Sequence, residues 1–210
     1  MGRDFVNLNE EFRTLVIAES VYNWDLGNSQ VQQSLYGDDF ARVVVYQHGL
    51  YFKHGHPVKN SPMFRNFERA LYGKPTVAEP ESERLWSSVA FHEFVQSPME
   101  SIKRRPSASD WEKGARVLEG VLKLLQPRVC IVLGTDMGKI WPMHEFSRIE
   151  TRSYSMINRA YPRVLTIEIG DVSSKLLMIR HPSKYFSWEK WHEEFLAKEI
   201  PEFIEYMKGS

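Results

Sequence analysis

The sequence predicts an α/β protein, three layers (α/β/α) around a central, mostly parallel, four-stranded sheet. Three observations carry this. Short apolar runs recur at Leu15–Ala18, Val129–Leu133 and Leu176–Ile179; runs of this length without polar alternation read as strands buried on both faces. Stretches with apolar residues at helical spacing lie between them, which is the alternation of strands joined by helices. Polar, chemistry-bearing residues follow the runs, where open α/β sheets hold their ligands.

Taken in order, Leu15–Ala18 is the first strand, followed by Glu19-Ser20-Val21-Tyr22-Asn23-Trp24-Asp25, a dense mix of acid, hydroxyl, amide and ring. Arg42–Tyr46 fits a strand or the end of a helix, and the Gly- and Pro-broken stretch after it is loop. Met63–Tyr72 has helical spacing, with Gly73 placed to stop it. Leu85–Phe91 is expected to be a strand ending at His92-Glu93. Lys103-Arg104-Arg105-Pro106 precedes a helix that starts near Ser109-Asp110 with capping residues and early acids. That helix runs to about Leu125, presents Val117, Leu118, Val121, Leu122 and Leu125 on one face, and ends at Pro127. Val129–Leu133 is the clearest buried strand, and Gly134-Thr135 after it reads as the start of a helix. Arg163–Ile169 and Lys175–Ile179 flank a turn-rich GDVSS and form a small hairpin. The segment Trp188–Met207 is amphipathic helix interrupted by Pro201.

With 210 residues, 42% hydrophobic, the chain is long enough for one sizeable core, and no linker divides it, so a single domain over 1–210 is expected. Its 27 basic and 27 acidic residues cancel, so contact with nucleic acid must rest on a local basic face. The single cysteine, Cys130, sits inside an apolar run, which excludes a disulfide framework and any site built on several thiolates. The opening MGRDFVNLNEEF is too polar for a secretory signal, and no apolar run approaches a membrane span. The expectation is a soluble cytoplasmic monomer with no membrane partner.

Several motifs fall in a telling order. Ala18-Glu19-Ser20-Val21-Tyr22-Asn23 follows the first strand. His48-Gly49-Leu50-Tyr51-Phe52 comes next, continued by Pro57-Val58 and Ser61-Pro62. His92 closes the third strand, and Arg105-Pro106, Trp111-Glu112 and Pro127 lead into VCIVLG. His181-Pro182-Ser183 follows the last strand. In this order and at these spacings, over roughly Leu15–Phe186, the chain resembles the uracil-DNA glycosylase superfamily.

The resemblance implies that family's fold and a monofunctional DNA N-glycosylase that needs no metal or cofactor. Such an enzyme flips a base out of the stack and hydrolyses its N-glycosidic bond, leaving an abasic site. His181 would donate to the base oxygen where negative charge develops, and Phe52 would stack on the base. Ser20 stands where the major branch holds its catalytic Asp, a departure that leaves Glu19 first and Asp25 second as water-positioning carboxylates, with Asn23 close by. His92 replaces the amide that reads the base edge. Glu93 beside it would accept from an exocyclic amine, as acids do from cytosine N4, and Tyr22 would crowd the C5 side of the base. Lys103, Arg104, Arg105 and Lys184, with Ser183, are the implied DNA contacts; Tyr185 or Phe186 is the implied wedge for the gap left by the base. The changes at Ser20 and His92 point away from plain uracil, toward a damaged or modified pyrimidine such as the modified cytosines of phage DNA. The alternative is a protein of the same fold that binds nucleic acid or a nucleotide without cutting it, since the usual Asp is missing. Acyl transfer by Ser20 or Ser183 with His181 lacks a nucleophile elbow.

Overall fold

The computed structural model describes residues 2–22, 61–99, 105–135, 147–183 and 185–209. Their centre is one six-stranded sheet in the order β2-β1-β3-β6-β5-β4. The strands are β1 (Thr14–Tyr22), β2 (Val89–Met99), β3 (Val129–Leu133), β4 (Ser147–Ser153), β5 (Arg163–Ile169) and β6 (Val172–Ile179). Neighbours among β2, β1, β3 and β6 are parallel. The expected hairpin at the GDVSS turn is present, with β5 antiparallel to β6, and β4 adds antiparallel to β5. The expected four-stranded sheet is therefore the parallel part of a wider one. The extra edge strand β4, SRIETRS, is polar and gives no apolar pattern to read.

Strand alternation divides the core in two. Val16, Ala18, Phe91, Ile131, Leu133 and Ile179 enter one apolar cluster, together with α1 (Ser61–Tyr72), α2 (Glu79–Ser88) and the C-terminal helices. Leu15, Ile17, Ala90, Val132, Leu176 and Met178 enter the other, under α3 (Ala108–Leu125). All five residues of β3 are buried, as a strand covered on both faces must be. The C-terminal segment runs through α4 (Trp188–Trp191), a π-helical stretch over His192–Leu196, α5 (Ala197–Glu199) and α6 (Pro201–Lys208).

Each helix has a local cause. Ser107, not Ser109, caps α3: its hydroxyl accepts from the Asp110 backbone N–H, and the Asp110 carboxylate returns the bond to the Ser107 N–H. Gln126 ends α3 in the left-handed region at φ 46°. The buried face of α3 is Trp111, Gly114, Ala115, Leu118 and Leu122, while Val117 is exposed. At Gly114 the helix comes so close to β2 that a Cβ would lie 2.4 Å from the Phe94 carbonyl oxygen. Gly73, at φ 68°, stops α1 where a Cβ would strike the His192 ring. Helices α1 and α2 are joined by buried Glu68, which accepts from Ser82 Oγ at 2.6 Å and Trp86 Nε1 at 2.7 Å. Among the described residues no helix is long and apolar enough to cross a membrane.

One expectation is corrected. Leu85–Ser88 belong to α2, and β2 starts at Val89 and continues to Met99, so His92 and Glu93 lie inside a strand. Leu85 and Trp86 face the core from a helix packed on the sheet, and a short apolar run in that setting looks the same as a strand.

Candidate functional site

Register aligns the ends of the parallel strands. Ile17 is level with His92 and Val132, Val132 with Met178, and Leu133 with Ile179; Ala18 is level with Glu93. Strands β3 and β6 stop at this level, at Leu133 and Ile179. Glu19 and Ser20, Gly134 and Thr135, and Arg180 and His181 come immediately after it. The expected convergence of polar groups on the carboxyl rim of the sheet is therefore found, except that β1 and β2 run on past it.

The turn after β6 is held from two sides. The Asn66 side-chain amide of α1 donates to the Pro182 carbonyl at 2.8 Å. The Arg180 guanidinium donates to the Asn158 carbonyl at 2.5 Å, and the Ser187 N–H donates to Asn158 Oδ1 at 3.1 Å. Within the turn, the Ser183 backbone N–H donates to His181 Nδ1 at 3.3 Å, and Ser183 Oγ lies 2.8 Å from the same atom. A backbone N–H only donates, so Nδ1 is an acceptor and the ring proton of a neutral imidazole sits on Nε2. Burial, then the positive charge of Arg105, pushes the His181 pKa down to about 4, so the ring is neutral at physiological pH.

Glu19 and Arg105 form an ion pair at 2.6 Å, which ties the rim of β1 to the residues leading into α3. Arg105 is thus committed to Glu19 as well as facing solvent. Glu93 is 3% exposed, and burial, followed by the charge of Glu19, pushes its pKa up to about 8. The pKa of His92, 8% exposed, is pushed down to about 4 by burial alone. Ser20 Oγ, His92 Nε2 and Glu93 Oε2 are buried and have no hydrogen-bond partner among the described residues.

The pleat separates two of the expected base-reading residues. Glu93 is level with Ala18, so it shares the α1 face of the sheet with Phe91, while Ser20 is level with Val95, which packs in the cluster under α3. His92 alternates to the α3 face with Ala90 and Phe94. His92 and Glu93 therefore lie on opposite faces of the sheet, with Glu93 on the side of the helix that anchors the His181 turn.

Beyond that turn, Tyr185 is 76% exposed at φ 50°, with the Arg180 guanidinium 5.6 Å from its ring centre. Phe186 stacks on Trp191 at 5.7 Å and packs against the core. Of the two wedge candidates, Tyr185 is the one in solvent. Asn23, Asp25, Phe52, Lys103, Arg104 and Lys184 lie outside the described residues, and of Tyr22 only the backbone, closing β1, is described. Asn66, Asn158 and Arg180 position the turn; no motif in the sequence marks the first two. No family model and no curated protein matches the chain.

Proposed function

We propose that the protein is a DNA glycosylase of the uracil-DNA glycosylase superfamily, acting on a damaged or modified pyrimidine, with a modified cytosine favoured over plain uracil. The observation that carries this is the neutral His181 at the sheet rim, with Nδ1 accepting from Ser183, which puts the ring proton on Nε2 as a donor without a partner among the described residues. Breaking a C1′–N bond places negative charge on the departing base, and a fixed donor that carries no charge of its own is suited to receive it. Glu19, held by Arg105 beside that rim, is the carboxylate nearest in sequence to the water-activating position. Tyr185 and the Arg180 cation next to it are the protein's means of filling the gap in the stack and holding the backbone.

The test is direct. Oligonucleotides carrying uracil, a thymine mismatch or a 5-substituted cytosine are incubated with the protein, and abasic sites are revealed by alkaline cleavage. We expect release of a pyrimidine, with His181→Ala slowing it by about 100-fold or more and leaving the circular dichroism spectrum unchanged. Binding of the same oligonucleotides without base release, unaffected by His181→Ala, refutes catalysis and leaves a binding protein.

A further inference from the structure

We propose that Glu93 is a general acid that protonates N3 of a cytosine-type base as that base departs. The proposal rests on the glycosylase function above and names the chemistry that sets its substrate class. Its basis is placement. Glu93 lies at the rim level of the sheet, in register with Ala18 on the neighbouring strand, which carries Ser20 two residues further on. Its Oε2 and the Ser20 Oγ are both buried without a hydrogen-bond partner among the described residues. An unpaired buried polar atom costs about 1–3 kcal/mol, so two of them on the neighbouring strands β1 and β2 mark an edge that a ligand completes.

The chemistry follows from the leaving group. Uracil leaves as a ring anion whose charge is delocalised over two carbonyls, and a neutral donor such as His181 suffices to stabilise it. Cytosine has one carbonyl and no ring N–H, so its anion is far more basic and the base needs a proton to leave. A carboxylic acid meets its edge with two bonds at once: the O–H to N3, and the carbonyl oxygen from the exocyclic amine. In the step, the proton passes from the Glu93 carboxyl to N3 while the C1′–N1 bond breaks and its electron pair stays on N1. The base leaves neutral and Glu93 is left as carboxylate. Water adds to C1′, and its released proton returns to Glu93 through solvent, so the sum is hydrolysis.

The surroundings keep the acid form. Glu19 on β1 adds negative charge, Arg105 ahead of α3 is paired with Glu19, His181 after β6 is neutral, and His92 on the same strand points to the other face. Burial and the Glu19 charge hold Glu93 protonated up to about pH 8. A carboxyl kept neutral by its site in order to donate is an established catalytic device.

The experiment compares wild-type protein with Glu93→Gln under single-turnover conditions from about pH 6 to 9, on oligonucleotides with one 5-hydroxymethylcytosine or one uracil. Glutamine keeps both edge contacts and lacks the transferable proton. The expected result is cytosine-type release that falls as pH rises past about 8. In Glu93→Gln that release drops about 100-fold or more, and what remains no longer falls as pH rises past about 8. Thermal melting confirms that the variant is folded. Cytosine-type release that survives in Glu93→Gln overturns the proposal and leaves the proposed function standing; a wild-type protein that releases uracil alone overturns the proposal and the preference for a modified cytosine, and leaves only the glycosylase activity. A wild-type protein that opens no abasic site in either substrate overturns both.

Discussion

Replacing Glu93 by Gln should make the protein more stable at neutral pH. The carboxyl has a pKa near 4.5 when unfolded and about 8 in the native state. Between those values the native chain holds a proton that the unfolded chain has given up. Stability is therefore fully present below the lower value and is lost as pH rises toward the upper one. At about 1.4 kcal/mol per pH unit, the deficit at pH 7 is roughly 3 kcal/mol. Glutamine has nearly the same shape and no proton to lose, so Glu93→Gln should recover up to about 3 kcal/mol at pH 7. Urea unfolding of both proteins at about pH 6.5 and 8.5 isolates the effect, because His92 and His181, whose unfolded values of about 6.5 lie at the edge of that window, contribute equally to the two. Wild-type protein should lose about 2 kcal/mol across the window that the variant does not lose. Parallel pH profiles for the two proteins would refute the reasoning, since the carboxyl would then ionise as it does in the unfolded chain.

His92 acts in the opposite sense. Its native pKa, near 4, lies below the unfolded value of about 6.5, so the unfolded chain binds the proton first and stability falls as pH drops through that range; His92→Gln should recover about 2 kcal/mol at pH 4.5 relative to pH 7, measured by urea unfolding. Glu68→Ala strips the acceptor from Ser82 Oγ and Trp86 Nε1 and should cost about 2–4 kcal/mol in the same measurement, with Glu68→Gln recovering part of the loss. Gly114→Ala gains about 1 kcal/mol of helix propensity, yet its Cβ would lie 2.4 Å from a backbone oxygen of β2; the thermal midpoint should fall.

Buried strands were the most legible part of the fold. Strands β1 and β3 are covered on both faces, so their residues are apolar in unbroken runs, and β6 ends in another such run. The start of β2 was hidden because Leu85 and Trp86 are buried by a helix. Its far end was hidden because His92 and Glu93, a buried imidazole and a buried carboxyl, look in sequence like the end of a strand. β4 carries no apolar period at all. For the site, the rim position of Glu19, Ser20, His181 and Ser183 followed from where the apolar runs stop. The split of His92 from Glu93 required the pleat and its register. The supports of the His181 turn, Asn66 and Asn158, come from 116 and 22 residues away from their partners, a pairing that local pattern does not encode.

The unequal strand lengths shape what can approach the rim. With β1 reaching Tyr22 and β2 reaching Met99 while β3 and β6 stop at Leu133 and Ile179, the end of the sheet is a step with a raised half and a lowered half. A stiff, broad polymer laid across it meets the raised half first and bridges over the floor. Glu93 belongs to the raised half, six residues before β2 ends, so its carboxyl belongs to the face of the sheet and not to the floor of the step.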